Sequence, residues 1–315
     1  MKEPHAVNLE DGLTFAYSLG QGYRKVTFVE ILQIPILRDP VMLIAFSGWN
    51  DGAEAATGAL DHLLSAWTQT NDDVVPVLIA QMDSEDFYDY QVSRPQVRVN
   101  ETQQREIIWP GTQIFGLSIP SMRRDLIIVT GVEPSMRWKS FTSEILDIAD
   151  DLEVSMIITV GAMLSDSPHT RPIKIIATTA NPSVGARLDL LPSTYQGPTG
   201  IIGAIQDGCT KRGIESLSLW ASVPHYAPNA PSPKASLALI HAMEDYLGVS
   251  IPVGDLSEQA QSWEESVTLL ASEDADVADY VKSLEASKDA AELPEASGET
   301  IAKEFEKYLR RHQED

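Results

Sequence analysis

Short apolar runs alternate with longer amphipathic segments along most of this chain. Each run predicts a strand that is buried on both faces, and each amphipathic segment predicts a helix. The alternation is typical of a mostly parallel sheet with helices on both faces, so a three-layer α/β/α fold is the predicted class. The predicted strands cover residues 41–46, 74–80, 126–130, 156–160, 173–177 and 217–221, and the predicted helices cover residues 53–67, 141–152, 201–212 and 233–247.

Two further segments interrupt this alternation. Residues 26–37 and 96–116 are rich in apolar side chains, but Pro35, Pro95 and Pro110 break them. Proline lacks the N–H that an interior strand donates to its neighbour. We therefore predict flanking antiparallel strands, or excursions from the sheet, in these two segments.

Length and charge limit the classes of function. The 315 residues, of which 43% are hydrophobic, can form one large α/β core with an appendage, or two domains. The net charge of −23 would repel phosphate groups, so we expect neither a nucleic acid nor a membrane as partner. No stretch approaches the ~20 apolar residues of a membrane span, and residues 1–11 lack the apolar core of a signal peptide. The expected location is the cytoplasm.

The single cysteine, Cys209, limits redox and metal chemistry. One cysteine can form neither an internal disulfide nor a cysteine-based metal cluster. The apolar helical pattern around Cys209 predicts a position in the core. The six histidines lack the spacing of a zinc motif, so no metal site is expected.

The composition changes at residues 251–254. Residues 255–315 contain 17 acidic and 6 basic side chains, a net charge of −11. We therefore divide the chain into a core domain, 1–250, and an acidic C-terminal helical region, 255–315. Either the region packs on its own chain, or its apolar stripes form an interface with a subunit or partner. The stripes are Leu256, Ala260, Trp263, Val267 and Leu270; then Val277, Tyr280, Val281 and Leu284; then Ile301, Phe305, Tyr308 and Leu309.

The turn at residues 48–52 follows the first predicted strand directly. Gly48 and Gly52 allow a sharp turn, and Asn50 and Asp51 supply polar atoms at the start of the next helix. One interpretation is that Asn50 or Asp51 only caps the helix. The other is that this turn belongs to a site, because ligands of open α/β sheets bind where the strands end.

Polar loops follow three other predicted strands. The first contains Glu133 and Arg137, the second is the run 166–171, and the third contains His225 and Tyr226. The carboxyl ends of parallel strands share one edge of a sheet, so we expect these loops to gather beside residues 48–52.

Two of the predicted features could bind an anion. Gly197, Thr199 and Gly200 precede a predicted helix, whose first N–H groups attract negative charge; the alternative is a tight turn with close packing. Arg137 and Arg171 could bind a carboxylate or phosphate, with His169 or His225 as proton carrier; the alternative is structural ion pairing. The sequence contains neither a Walker A loop nor a GxSxG elbow.

Five blocks, in this order, resemble the PAC2 family, and most closely its actinobacterial branch. They are residues 46–52, residues 133–138, Gly161 with residues 168–171, residues 197–200, and residues 218–221 with 224–226. The resemblance implies an α/β/α core like that of purine nucleoside phosphorylases and related hydrolases. It also implies homo-oligomers, for which a trimer is one candidate.

The resemblance leaves the function open between classes. Eukaryotic and archaeal relatives are proteasome assembly chaperones, so the first hypothesis is a non-enzymatic assembly or protein-interaction factor that needs no cofactor. The alternative is a small-molecule binder or phosphorylase-like enzyme. A third hypothesis makes the same loops an oligomer interface. The predicted pocket or interface comprises Gly48, Trp49, Asn50, Asp51, Glu133, Arg137, Trp138, His169, Thr170, Arg171, Gly197, Thr199, Gly200, His225 and Tyr226.

Overall fold

The computed structural model describes residues 7–9, 12–14, 29–68, 74–100, 102–227 and 231–292. Twelve strands lie within these ranges. They are β1 (Val7–Leu9), β2 (Gly12–Thr14), β3 (Val29–Ile31), β4 (Val41–Ser47), β5 (Val77–Met82), β6 (Gln96–Val99), β7 (Arg105–Ile108), β8 (Thr112–Leu117), β9 (Leu126–Val132), β10 (Met156–Ser165), β11 (Ile175–Thr178) and β12 (Ser216–Pro224).

Eight of these strands form the central sheet, in the order β11-β12-β10-β4-β9-β8-β5-β3. The four central strands β12, β10, β4 and β9 are parallel. The outer strands β11, β8, β5 and β3 pair antiparallel with their neighbours. The predicted parallel sheet is thus the centre of a wider mixed sheet. Of the segments predicted to flank it, β3 lies at the edge and β6 and β7 form a separate hairpin, whereas β8 lies inside the sheet between β9 and β5.

Helices cover both faces of the sheet, as the alternation predicts. The described helices are α1 (Ala55–Ala66), α2 (Ser84–Phe87), α3 (Trp138–Asp151), α4 (Pro182–Leu188), α5 (Ile201–Arg212), α6 (Pro233–Leu247), α7 (Leu256–Glu273) and α8 (Ala275–Glu292). The core cluster on one face contains side chains of α1 and α6, and the cluster on the other contains side chains of α3 and α5. The three-layer α/β/α class is therefore confirmed.

Strand β4 shows how the sequence specifies these layers. Successive side chains of a strand point to opposite faces. Leu43 packs in the cluster beneath α1 and α6, whereas Ile44 and Phe46 pack in the cluster beneath α3 and α5. All three are fully buried, and burial of each such side chain is worth roughly 1.5–3 kcal/mol. This is why the strand reads as a continuous apolar run.

The C-terminal region packs partly on its own chain. Leu256, Ala260 and Val267 of α7 are buried, and α7 packs against α6. The predicted stripe fails at its last member, because Ala271 is buried and Leu270 is exposed. In α8, Val281 is buried.

The remaining predictions for this region have different outcomes. Val277, Tyr280 and Leu284 of the second stripe are half-buried. The third stripe lies outside the described residues. The division into a core domain and an acidic region stays a prediction. None of the described helices is long and apolar enough to cross a bilayer.

Candidate functional site

The loops that follow β4, β9, β10 and β12 meet at one edge of the sheet, here called the carboxyl edge. The turn after β4 is joined to β10 by a hydrogen bond from the Ala162 N–H to the Asn50 carbonyl oxygen, 2.8 Å long. Asp51 and Ala162 form an isolated parallel bridge. The turn predicted to be site-like is therefore an extension of the sheet.

Asp51 caps α1, as one interpretation of the turn predicted. Its carboxylate accepts a hydrogen bond of 2.6 Å from the Ala56 N–H and another from the Thr57 hydroxyl. Burial raises the pKa of this carboxyl group. The hydrogen bonds from Thr57 and Ala56 lower the pKa and so offset part of this rise. Ala53 and Glu54 have φ angles of 53° and 52°, in the left-handed region that costs energy for residues with a side chain. The helix entry is a strained, tightly bonded turn.

Glu133 links three elements at the centre of the carboxyl edge. Its Oε1 accepts a hydrogen bond of 2.5 Å from Asn50 Nδ2 and one of 2.8 Å from the Ile201 N–H at the start of α5. The helix N-terminus that the sequence marked as a possible anion site therefore already holds a carboxylate of the same chain. Gly200 allows this contact, because a Cβ there would lie 2.1 Å from Asn50 Oδ1.

The other members of the glycine-rich turn pack locally. Tyr195 folds over the turn, and its hydroxyl donates to the Pro198 carbonyl oxygen at 2.9 Å. A Cβ on Gly197 would lie 2.5 Å from the Tyr195 hydroxyl oxygen, and one on Gly203 would lie 1.9 Å from Thr199 Oγ1. These contacts favour the tight-turn alternative for Gly197 and Thr199 over the anion site.

Arg137 begins α3 from a left-handed backbone, with a φ of 56°. Its guanidinium forms an ion pair with Asp86 and lies 6.0 Å from the centre of the Phe87 ring. The neighbouring Trp138 donates its Nε1–H to the Pro134 carbonyl oxygen at 2.6 Å. Asp86 was not among the predicted site residues. It lies on the short helix α2, which Asp83 caps by accepting a hydrogen bond from the Glu85 N–H.

His169 lies in a second, separate group of contacts and is only 1% exposed. Its Nδ1 is 2.8 Å from the Tyr226 hydroxyl, and its Nε2 is 3.0 Å from the Thr268 hydroxyl of α7. Burial lowers the pKa of this imidazole, and the nearby Lys234 lowers it further, whereas Glu264 raises it. The ring is therefore a neutral, doubly bonded group between the sheet and α7.

Thr170 and Arg171 bind α8. The Thr170 hydroxyl donates to Glu285. The Arg171 guanidinium donates two hydrogen bonds of 2.8 Å to the two carboxylate oxygens of Asp289 and also lies 3.4 Å from Glu285. Arg171 therefore binds a carboxylate in the bidentate way that the sequence predicted, but the carboxylate belongs to its own chain.

His225 and Tyr226 complete this second group. His225 Nδ1 lies 3.3 Å from Asp166, whose carboxylate also accepts a hydrogen bond of 2.8 Å from the Tyr280 hydroxyl of α8. The rings of His225, Tyr226 and Tyr280 contact one another edge to face, with centroids 5.7–6.0 Å apart. Nothing local in the sequence signals the contact with Tyr280, because it comes from the C-terminal region.

The structure thus divides the predicted residues into two groups. The first joins the turn 48–51, Glu133 and Gly200, and the second joins residues 169–171 and 225–226 to α7 and α8. Arg137 and Arg171 each have a different carboxylate partner, so they do not converge on one anion. Among the described residues, no three His, Cys, Asp or Glu side chains are arranged to hold a metal ion.

Apolar side chains are exposed at the same edge. Trp49 lies in the turn after β4, just before Asn50, and is 65% exposed. Leu164, near the end of β10, is 59% exposed. Met136 and Met163 are exposed too. We call Trp49, Met136, Met163 and Leu164 the edge patch. Exposed apolar patches on a protein surface typically mark interaction sites.

The fold and these contacts define a class of protein: a three-layer α/β/α domain whose carboxyl edge is closed by its own polar network and presents apolar side chains. The model of the PAC2 family matches residues 45–271. The chain therefore belongs to the PAC2 family, as its sequence blocks predicted.

Comparisons with solved structures agree with this assignment. A PAC2 family protein from Streptomyces avermitilis is 43% identical, with a TM-score of 0.70, over 77% of this chain and 100% of that chain. A proteasome-assembly chaperone homologue from Mycobacterium tuberculosis is 39% identical, with a TM-score of 0.67, over 76% of this chain and 99% of that chain. PbaA from Pyrococcus furiosus, an archaeal homologue of proteasome-assembly chaperone, shows the fold alone, with 15% identity and a TM-score of 0.51 over 82% of this chain and 99% of that chain. A comparison with curated proteins gave no match.

Proposed function

We propose that this PAC2 protein is a non-enzymatic interaction factor of the assembly-chaperone kind, acting in the cytoplasm. One observation at the carboxyl edge carries the proposal. The charged side chains there bind other groups of the same chain, whereas the apolar side chains of the edge patch are exposed. A protein partner buries such side chains and gains binding free energy from them. The name of the Mycobacterium tuberculosis relative, a proteasome-assembly chaperone homologue, supports the same class.

The phosphorylase-like alternative has less support. An anion site needs cationic groups or N–H groups that are available to the ligand. Arg137 pairs with Asp86, Arg171 pairs with Asp289, and the Ile201 N–H is bonded to Glu133. His169 is held between Tyr226 and Thr268, so it lacks the freedom of a proton carrier.

We also propose that the protein assembles with copies of itself, with a trimer as one candidate. The β6-β7 hairpin supports this, because every residue of both strands is exposed. Val97 and Val99 share one face, and Ile107 pairs directly with Val97 on that face. An isolated two-stranded hairpin is marginal in water, so burial of this face would stabilise it.

The test uses a photo-crosslinking amino acid at position 49, in protein returned to lysate of its source organism. The matched control carries the same group at position 36. Ile36 is 97% exposed and lies two residues before Arg38, whose N–H bonds to Asp125 just before the start of β9, at the other end of that strand. We expect one protein partner, in a fixed ratio, to be crosslinked from position 49 and not from position 36. Native mass spectrometry of the same preparation gives the subunit number.

A variant measures the strength of this contact. Because an exposed tryptophan at an interface centre typically contributes about 2 kcal/mol or more, Trp49→Asp should weaken partner retention at least tenfold. Ile36→Asp should leave it unchanged. Crosslinks from position 49 only to other copies of this chain would contradict the chaperone proposal and favour the oligomer-interface hypothesis.

A further inference from the structure

Glu133 uses only one of its two carboxylate oxygens within the chain. Both hydrogen bonds that its side chain accepts, from Asn50 Nδ2 and from the Ile201 N–H, end on Oε1. Its Oε2 has no hydrogen bond or ion pair with any described residue, and the residue is half-buried. The carboxyl edge therefore holds a fixed carboxylate with one open oxygen.

The bond to Glu133 leaves Asn50 with an unsatisfied atom. Asn50 is only 1% exposed, and its Oδ1 is buried with no hydrogen-bond partner among the described residues. A buried acceptor without a partner costs free energy, so its presence in a folded protein calls for an explanation. The orientation that carries this cost is the one that points Nδ2 at Glu133. Asn50 therefore acts as a support that holds the carboxylate in place.

The described part of the chain supplies no cation to this carboxylate. Arg137, four positions further along, pairs with Asp86 instead. The whole protein has a net charge of −23, and a field of this sign attracts basic partners. A cation from another molecule is therefore the group that matches Oε2.

The space beside Oε2 is open and has apolar neighbours. A Cβ on Gly48 would lie 3.5 Å from the Glu133 Cβ and 3.7 Å from Oε2, so the lack of a side chain at Gly48 leaves this side of the oxygen uncovered. Trp49, the next residue, and Met136, in the same loop as Glu133, are both exposed. A lysine side chain suits such surroundings, because its aliphatic stem packs on apolar groups while its ammonium group stays with a charge.

The hydrogen bonds of Glu133 also select among cations. An arginine guanidinium binds a carboxylate best through both oxygens, but Oε1 already accepts two hydrogen bonds. The ammonium group of lysine is a compact point charge that needs one oxygen. A metal ion needs further ligands, and the described residues contain no group of three His, Cys, Asp or Glu side chains for one.

We propose that Glu133 binds the ammonium group of a lysine of the protein partner, whose aliphatic stem packs on Trp49 and Met136. This inference rests on the proposed function, because it names the side chain by which the partner is recognised at the edge patch. It adds a charge requirement to a surface whose other exposed members are apolar.

A water-soluble carbodiimide, which joins a carboxylate to a lysine amine in direct contact, tests the pairing in the complex. We expect an amide bond between Glu133 and a lysine of the same protein that is crosslinked from position 49, located by mass spectrometry of the digested complex.

Glu133→Gln measures the contribution of the charge. The glutamine Oε1 can still accept from Asn50 and the Ile201 N–H, so amide exchange at Ile201 should match that of the parent. Partner retention should weaken at least tenfold, because the lysine would lose its charged partner. The remaining binding should depend less on salt than that of the parent.

The matched control is Glu153→Gln. It removes the same charge from an exposed residue just before β10, at the end of that strand away from the carboxyl edge. Partner retention and its salt dependence should stay as in the parent.

The outcomes separate this inference from the proposed function. If Trp49→Asp lost the partner and Glu133→Gln kept it, the inference would be overturned and the proposed function would stand. Loss in Glu133→Gln without a crosslink from Glu133 to a lysine would also overturn it, and so would a crosslink only to a lysine of a second copy of this chain. Absence of any protein crosslinked from position 49 would overturn the proposed function, and this inference with it.

Discussion

Gly200 is a residue at which the centre of the carboxyl edge allows little change. Its φ of −94° is open to any residue, so the need for glycine is purely spatial. A Cβ at this position would meet Asn50 Oδ1 and Nδ2 at 2.1 and 2.4 Å, and Asn50 is itself fixed by Glu133. The bond from Glu133 to α5 depends on the same close approach.

We therefore expect Gly200→Ala to lower the free energy of unfolding by about 1–3 kcal/mol, the cost of forcing a methyl group into a packed site. The measurement is urea denaturation followed by circular dichroism. Gly111→Ala is the matched control, because a Cβ at Gly111 would meet nothing within 4 Å. Equal midpoints for the two variants would show that Asn50 can move aside freely.

Among the helices, α8 is attached to the core with little buried apolar surface. Val281 is its one buried apolar side chain among the described residues, and several of its contacts with the core are polar. Ion pairs on a surface contribute little each and weaken in salt. Helix α8 should therefore open locally more easily than α5 or α6, which are packed in the core.

For this helix we expect Arg171→Gln to speed amide exchange of residues 275–292 by roughly two- to fivefold. Arg187→Gln is the matched control, because it removes a similar bidentate pair with Glu215 of the core and not with a residue of α8. Addition of 0.5 M salt should reduce the difference between the parent and Arg171→Gln. Unchanged exchange in Arg171→Gln would mean that apolar packing alone holds the helix.

At the scale of the whole molecule, the buried His169 makes stability depend on pH. Its pKa is lowered in the folded protein, so the unfolded chain binds a proton more readily. Stability from this group is fully present above the ordinary histidine pKa of about 6.5 and falls as the pH drops below it, down to the folded pKa. Protonation also opposes the contact with Lys234, which donates to the His169 carbonyl oxygen at 2.5 Å.

We accordingly expect the denaturation midpoint of the parent to fall between pH 7 and pH 5, and that of His169→Gln to fall less. If the parent and His169→Gln lost stability in parallel over this range, the buried ring would not be the cause.

Local pattern predicted much of the fold. Helices α5 and α6 have the predicted bounds, since glycine follows each of them and proline begins α6. The ends of other elements depend on contacts with neighbouring parts of the fold. Strand β10 continues to Ser165, five residues beyond the predicted end, because its ladder with β12 continues to Pro224. Helix α3 begins at Trp138 rather than at Phe141. The Trp138 side chain donates a hydrogen bond to the Pro134 carbonyl oxygen, a contact with the preceding loop.

The sequence by itself determined the layers, the meeting of the loops at one edge and the family, because apolar periodicity and short motifs are local properties of the chain. Only the tertiary structure decided the partners of the site residues. The bond from His169 to Thr268 spans 99 positions and that from Arg171 to Asp289 spans 118. No local pattern encodes a contact at such a separation. The contact depends on where the folded chain places α7 and α8. For that reason, residues that resembled an anion site in the sequence are internal ion pairs in the folded chain.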